Sequence, residues 1–375
     1  MALSTVNSSN VVTNFQKAVR REYVRGGIYG QYIGSTEQAI IQSNKDLQKH
    51  SIPLIAKLTG NGVSGSDTLN GKEQPLSNYA FALTPTHYRQ AVKITDEENE
   101  KSAFDLFSEA RPSLMNWMME LKRDQISQAF GQVQASGTSY NYGDASGANL
   151  DTWNTNNQDR VLYGATKSNN TSGDHTTSLA TIDTTNDKLT AARITLLKRM
   201  AMVASPLIRP VMLKGDDPWF TFFVDSYGFR DLQNDSTIIA NRQYALPRAK
   251  DNPLFSSGDI VHDGVIIREV PDINKFIDGD GTGSAFDGVW GANSTSDSLL
   301  TGGNSSSRVG VGFFCGAQAV SFIRGKDAYF ANAKEDDYGF QRGVAVAAKH
   351  AIGKTFYNNK QHGMITHFYS ASVDS

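Results

Sequence analysis

Three short stretches have residue types and spacings that could bind phosphates or cations. Gly60-Asn61-Gly62-Val63-Ser64-Gly65 spells the glycine pattern of a dinucleotide-binding turn and follows an extended segment. That turn works only where a helix starts and aims its amide dipole at the pyrophosphate. Here Ser66-Asp67-Thr68-Leu69-Asn70-Gly71 follows, with Pro75 soon after, and no helical face emerges. A flexible tip is expected instead. Ala348 to Thr355 ends in Gly353-Lys354-Thr355, close to a phosphate-binding loop, which needs a glycine-lined turn so that backbone amides wrap the phosphates. Val344, Val346, Ala348, His350 and Ile352 alternate as one face of a strand, which leaves no cradle. Asp278-x-Asp280-x-Thr282-Gly283 opens like a calcium loop, but its twelfth position is Val289, where a bidentate Glu is required.

The remaining reactive residues are scattered. The seven histidines, at 50, 87, 175, 262, 350, 362 and 367, form no His-Glu-x-x-His pair, and His350 and His367 fall within strand patterns as packing or surface residues. No Gly-x-Ser-x-Gly elbow occurs, and the adjacent carboxylates Asp336 and Asp337 need not converge on a substrate. Cys315 is the only cysteine, set in the apolar run Val311-Gly312-Phe313-Phe314-Cys315, so neither an intramolecular disulfide nor a cysteine-based zinc site can form. A buried, inert thiol is expected. No catalytic, cofactor or metal site follows from these residues.

The 375 residues, 39% hydrophobic and 20% charged, suffice for two or three packed domains. The 36 basic and 38 acidic residues nearly cancel, leaving a formal charge of -2 and no overall basic excess of the kind that grips nucleic acid. Met1 to Asn10 lack the layout of a signal peptide, and no stretch approaches the ~18 apolar residues of a membrane span. Folding in a cytoplasm is the expectation.

Residues 1–48 mix short helical patterns with glycines and carry the cluster Arg20-Arg21-Glu22-Tyr23-Val24-Arg25, without a hydrophobic face of their own. They form an arm that needs something to lie against. Residues 49–94 read as a long two-stranded excursion, Ile52–Leu58 against Tyr79–Ile94, with a Gly/Ser/Asn-rich tip. An isolated ribbon is marginal in water, so a partner surface is implied. Thr95-Asp96-Glu97-Glu98 has capping-box spacing, and the apolar periodicity behind it predicts a helix over 96–132 in which Pro112 either marks a kink or starts a second helix. Residues 131–183 are rich in Ser, Thr, Asn and Gly and read as a long loop or small irregular subdomain. Helix returns at 186–203, followed by strands at 207–213, 219–224 and 264–270 and a short helix at 226–234. A second low-complexity insertion spans 278–307, and strands close the chain at 309–314, 344–355 and 364–369.

This order of arm, long hairpin, long helix, mixed α/β domain and returning strands resembles the shell fold of tailed-phage coat proteins, the Hong Kong-97 type also found in herpesvirus floors. The likeness lies nearest the coat family typified by podovirus N-four. Glu22-Tyr23-Val24-Arg25 with Ala39-Ile40-Ile41-Gln42 is similar to that family's arm, and Leu58–Val63 followed by Leu69–Glu73 to its extended loop. Asn252-Pro253-Leu254-Phe255 with Asp263–Ile267 resembles the centre of its axial domain. Gly316–Ala319, Asp337-Tyr338-Gly339 and Gly353-Lys354-Thr355 resemble its C-terminal signature. The resemblance covers nearly the whole chain, with 131–183 and 278–307 standing out as local insertions.

The resemblance implies an α+β fold: arm 1–48, extended loop 49–94, peripheral domain 95–204 with its spine helix, axial domain 205–335, and strands of 336–375 returning to both. It implies a major capsid protein that assembles with itself into pentamers and hexamers of an icosahedral shell around double-stranded DNA, held without sequence specificity. Scaffolding, portal and decoration proteins would be its other partners, with assembly in the host bacterial cytoplasm, no membrane and no cofactor. A separate scaffold is expected, since the arm starts almost at Met1. Arg20, Arg21 and Arg25 would be arm contacts to neighbouring subunits, and Pro112 the bend of the spine between immature and expanded shells. A tail or decoration protein explains the capped helix and C-terminal signature poorly. A glycan-active enzyme built of Asn/Thr/Gly-rich strands would be all-β, against the helices at 96–132 and 186–203. A cellular nanocompartment shell shares the fold and is separated by its cargo.

Overall fold

The computed structural model describes residues 29, 39–43, 49–59, 62–102, 105–213, 217–245, 259–271, 273, 309–333 and 340–371. Arg20, Arg21, Arg25, most of the arm, Asn252–Phe255, Asp337–Gly339 and the insertion 278–307 lie outside them. The chain opens with strands β1 (Ala39–Ser43), β2 (His50–Ile55), β3 (Asn78–Leu83) and β4 (Thr86–Thr95), then helices α1 (Asp96–Lys101) and α2 (Leu106–Gly131). Short elements follow: β5 (Val133–Ala135), β6 (Thr138–Tyr140), α3 (Gly147–Asn156), β7 (Val161–Tyr163) and α4 (His175–Ala180). Next come α5 (Ala191–Val203), β8 (Val211–Leu213), β9 (Asp217–Val224), α6 (Ser226–Gln233), α7 (Ser236–Ala245), β10 (Ile260–His262) and β11 (Val265–Glu269). The last strands are β12 (Val309–Cys315), β13 (Val320–Asn332), β14 (Gln341–Lys354), β15 (Phe356–Tyr357), β16 (Lys360–Gln361) and β17 (Met364–Ser370).

The centre is a seven-stranded sheet in the order β10-β11-β9-β12-β17-β7, with β8 paired to β9. Its strands read as apolar runs because both faces are covered. Val311, Phe313 and Phe368 meet Ile126 and Phe130 of α2 and Leu150 and Trp153 of α3 on one side. Phe314, Ile365 and Tyr369 meet Ile194, Leu197 and Met200 of α5 and Phe229 and Leu232 of α6 on the other. The glycines in Val309-Gly310-Val311-Gly312 follow from this packing. A Cβ on Gly312 would lie 2.7 Å from the Phe222 ring, and one on Gly310 would lie 2.8 Å from Tyr369.

A second, four-stranded sheet runs β1-β13-β14-β4. Ile94, Val344, Val346 and Ala348 on one of its faces bury Ala110, Leu114 and Met118 of α2. Helix α2 therefore packs its first turns on this sheet and its last turns on the central one, joining the two cores.

Several expectations need correction. The helix expected over 96–132 is two helices. Thr95 Oγ1 accepts from the Glu98 amide at 3.3 Å as the capping box foretold, yet the backbone is extended at Ser102. Asp105 then caps a new helix by accepting from the Phe107 amide at 3.1 Å. Pro112 starts neither helix; it sits inside α2, whose 26 residues span ~39 Å. The hairpin is shorter than 49–94, because β2 pairs with β3 whereas β4 pairs with β14. Thr84 and Pro85 separate β3 from β4, and proline offers no amide to a ladder there.

The stretch 131–183 is no loop insertion. It supplies β7 to the central sheet and the fully buried Leu150, Trp153 and Tyr163 to its core. Helix α5, expected at 186–203 in the peripheral domain, begins at Ala191 and packs on the central sheet, while β13, expected in the axial domain, belongs to the four-stranded sheet. Of the arm, Tyr29 is buried edge-on against Phe130 and Phe223, and β1 pairs in parallel with β13. These two pieces are held by the subunit's own core.

Candidate assembly surfaces

The stretches that suggested chemistry are used as structure. Gly353 and Lys354 end β14, and the Lys354 ammonium is wholly buried, donating to the Phe130 carbonyl at 3.2 Å and lying near the rings of Trp153 and Phe356. Burial brings its pKa down to about 7. Thr355 Oγ1 is 2.8 Å from Ser321 Oγ in the same interior. A strand ending in buried side chains exposes no row of amides to a phosphate. After Gly62 the excursion has turns but no helix, as a tip without a nucleotide would.

The histidines in the interior are packing groups. His175 lies between the hydroxyls of Tyr142 and Tyr163, with Nδ1 2.6 Å from the latter, and desolvation lowers its pKa to about 3. His367 Nε2 donates to the Gly164 carbonyl at 3.0 Å, and His350 Nε2 lies 2.6 Å from Gln125 Oε1. Burial lowers both to about 4. Cys315 is buried, as expected. Among the described residues no group of His, Cys, Asp and Glu side chains is placed to hold a metal ion, and no helix is long and apolar enough to cross a membrane.

The surface is more informative than the interior. The β2–β3 hairpin is anchored at its base, where Ile52 and Phe81 pack on Phe356 and Tyr357. Beyond that base it exposes Ile55, Leu58, Leu69 and Leu76, each more than half accessible. Gly62, Gly65 and Gly71 adopt positive φ, which glycine tolerates without strain, and a Cβ at any of them would meet open space. Among the described strands β2 and β3 pair only with each other. Helix α2 exposes Met115 and Met119 at i, i+4 spacing, and the end of α5 with the loop after it exposes Met202, Val203 and Leu207. Sequence reasoning anticipated the hairpin but none of these exposed apolar side chains; the one available signal was leucines set among Gly, Asn and Ser at 58–76.

Known proteins carry the same architecture. Residues 4–373 match a family described as phage capsid protein. The major capsid protein of Pseudomonas phage KPP25 is 25% identical over 359 residues, spanning 90% of this chain and 88% of that one. Among solved structures, the capsid asymmetric unit of cyanophage Pam1 superposes with a TM-score of 0.85 at 31% identity, over 100% of both chains. The acidic stable capsid structure of Helicobacter pylori bacteriophage KHP30 superposes with a TM-score of 0.69 at 15% identity, over 98% of this chain and 97% of that one.

Proposed function

As the chain belongs to the phage capsid protein family over nearly its whole length, it is a major capsid protein of an icosahedral head shell, and we propose that it closes that shell chiefly by laying the β2–β3 hairpin on a neighbouring copy. Its α+β fold is of the Hong Kong-97 type. It is a structural subunit, part of the virion, that assembles with copies of itself.

The observation that carries the hairpin reading is the exposure of Ile55, Leu58, Leu69 and Leu76 on a two-stranded ribbon. Such a ribbon is marginal alone and gains stability from a third surface. A specific contact buries ~800 Å² per partner, and several contacts closing around a ring reinforce one another through effective concentration. Closed symmetry then makes weak pairwise contacts durable.

The finer assignments follow from the same reading. Arg20, Arg21 and Arg25 contact neighbouring subunits, and Pro112 lets α2 bend between immature and expanded shells, because a proline inside a helix removes one backbone hydrogen bond. The subunits group as pentamers and hexamers, and the shell encloses double-stranded DNA without reading its sequence. It forms in the host cytoplasm with a scaffolding protein, a portal and a decoration protein, and it catalyses no reaction. Electron microscopy of the expressed protein, after sizing by light scattering, tests the reading. Uniform shells, tubes or rings of five or six are expected, if necessary on co-expression with the scaffold. A chain that stays monomeric with its scaffold present would overturn it.

A further inference from the structure

The last turn of α5 and the loop after it expose three large apolar side chains in a run of six residues: Met202 at 62%, Val203 at 71% and Leu207 at 64%. Exposure of this kind usually belongs to loose chain, but here the backbone is fixed along its length. The Ile208 amide donates to the Ala201 carbonyl at 3.2 Å, closing the loop between two buried residues. Inside it, the Ser205 amide donates to Asp159 Oδ2 at 3.0 Å, and Lys360 Nζ donates to the Ser205 carbonyl at 3.1 Å.

The strongest tether is Arg160, which is fully buried. Its guanidinium donates to the Pro206 carbonyl and, through Nη1, to the carbonyls of Gln361 at 2.6 Å and His362 at 2.7 Å. Taking a guanidinium out of water costs several kcal/mol before its hydrogen bonds offset it. Just beyond the loop, the Ala317 amide donates to the Arg209 carbonyl at 2.7 Å. The result is a rigid apolar ridge.

We infer that the ridge Met202–Val203–Leu207 is a preformed contact seat for a second copy of this chain within the shell. This rests on the shell reading given above. Three arguments favour a second copy. The ridge presents on the order of 300 Å² of apolar surface, comparable to the largest and often functional patch of a typical monomer, and a sizeable part of the ~800 Å² that a specific contact buries per partner. The exposed Arg199, on the same helix face as Met202 and Val203, and the exposed Arg209 flank it, and an apolar centre with arginine is the composition of a protein contact rather than of a phosphate-binding surface. Every subunit carries the same ridge, so ring closure satisfies each one once, without a further component. A ridge already rigid also loses little conformational entropy on docking.

The chain suits a direct test because its only cysteine, Cys315, is buried. Val203→Cys would add a single accessible thiol. A maleimide reagent is expected to modify that thiol rapidly in the unassembled subunit and at least tenfold more slowly in assembled shells. Equal rates in both states would overturn the inference while leaving the shell reading intact; failure of the unmodified chain to form shells would instead remove the reading itself. A Val203→Asp/Leu207→Asp double variant gives an independent readout. It should keep the subunit's circular dichroism and thermal midpoint and lose at least tenfold in shell yield. Shells at the normal yield would equally defeat the proposal.

Discussion

Strands β17 and β2 are seven and six residues long, yet all seven residues of β17 are buried and only Ile52 of β2 is. Strand β17 is hydrogen-bonded on both edges, to β12 and β7, and covered on both faces by helices. Strand β2 has one partner, β3, and its outward side chains face solvent. The first region is complete within one chain. In the proposed reading the second becomes complete only against another copy, which would place the subunit's stability in the central sheet and its capacity for assembly in the hairpin. Substitutions in the two regions should therefore separate folding from assembly.

The largest effect is expected in the central sheet. Phe314 is fully buried against Phe220 and Phe222, so Phe314→Ala should lower the unfolding free energy by about 3–5 kcal/mol through lost burial and the cavity left behind. Urea titration of the isolated subunit would measure it. A loss below ~1 kcal/mol would mean that the sheet is not where the stability resides.

Acid should attack the same region next. His175 and His367 titrate near 3 and 4 in the fold because burial disfavours their charged forms, against ~6.5 unfolded. Below pH 6.5 the unfolded chain takes up protons that the folded chain refuses, so stability falls as the pH drops towards 4 and is unaffected by these groups above 6.5. Up to about 1.4 kcal/mol is lost per pH unit for each histidine, or about 2–4 kcal/mol for the pair between pH 6.5 and 5. Lys354, at about 7 in the fold against ~10.4 unfolded, has the same sign in a higher window. Its contribution rises as the pH is raised from 7 towards 10.4. Unfolding free energies at pH 5, 7 and 9 should rise in that order, and a His367→Gln variant should show a shallower slope on the acid side. An unchanged slope in that variant would remove His367 from the account.

How far the sequence could be read depended on whether its signals were local. The Thr95 cap lies within four residues of the amide it serves, and the alternation of Val344, Val346, Ala348 and His350 is complete within one strand, so both were legible. The pairing of β12 with β9 on one side and β17 on the other joins residues some 90 and 50 positions apart, for which no local pattern exists. Residues 131–183 misled because their core contribution comes as isolated large side chains, Leu150, Trp153 and Tyr163, amid Asn, Ser and Thr. Those polar residues are themselves used inside: Asn154 and Asn170 exchange amide hydrogen bonds at 2.9 and 3.0 Å. The exposed leucines of the hairpin and the ridge at the end of α5 were illegible for the opposite reason. An apolar residue in a sequence is assigned to a core by default, and only the completed fold shows that no core reaches it.

Pro112 lies between the two regimes, in the helix that joins the two sheets. Replacing it with alanine restores an amide to α2 and removes the clash of its ring with the preceding turn. Pro112→Ala should thus stabilise the subunit by about 1–3 kcal/mol and slow the change from immature to expanded shell, read by cryo-electron microscopy of timed samples. Normal assembly and expansion in this variant would end the claim that the proline serves shell maturation.

The smallest effect on the subunit, and the sharpest separation, is expected at the hairpin. Leu69 is 61% exposed beside the positive-φ Gly71 and is absent from every core cluster of the described residues. Leu69→Ser should change the unfolding free energy by no more than about 0.5 kcal/mol, as surface substitutions do. If the hairpin lies on a neighbour as proposed, the same leucine meets that neighbour in the shell, and its loss recurs at every copy, so small pairwise losses multiply around each ring. Shells of Leu69→Ser should form in lower yield and dissociate at lower denaturant than normal shells, measured side by side by light scattering. If subunit and shell weakened together, Leu69 would belong to the fold; if neither changed, the neighbour would not be touching the tip.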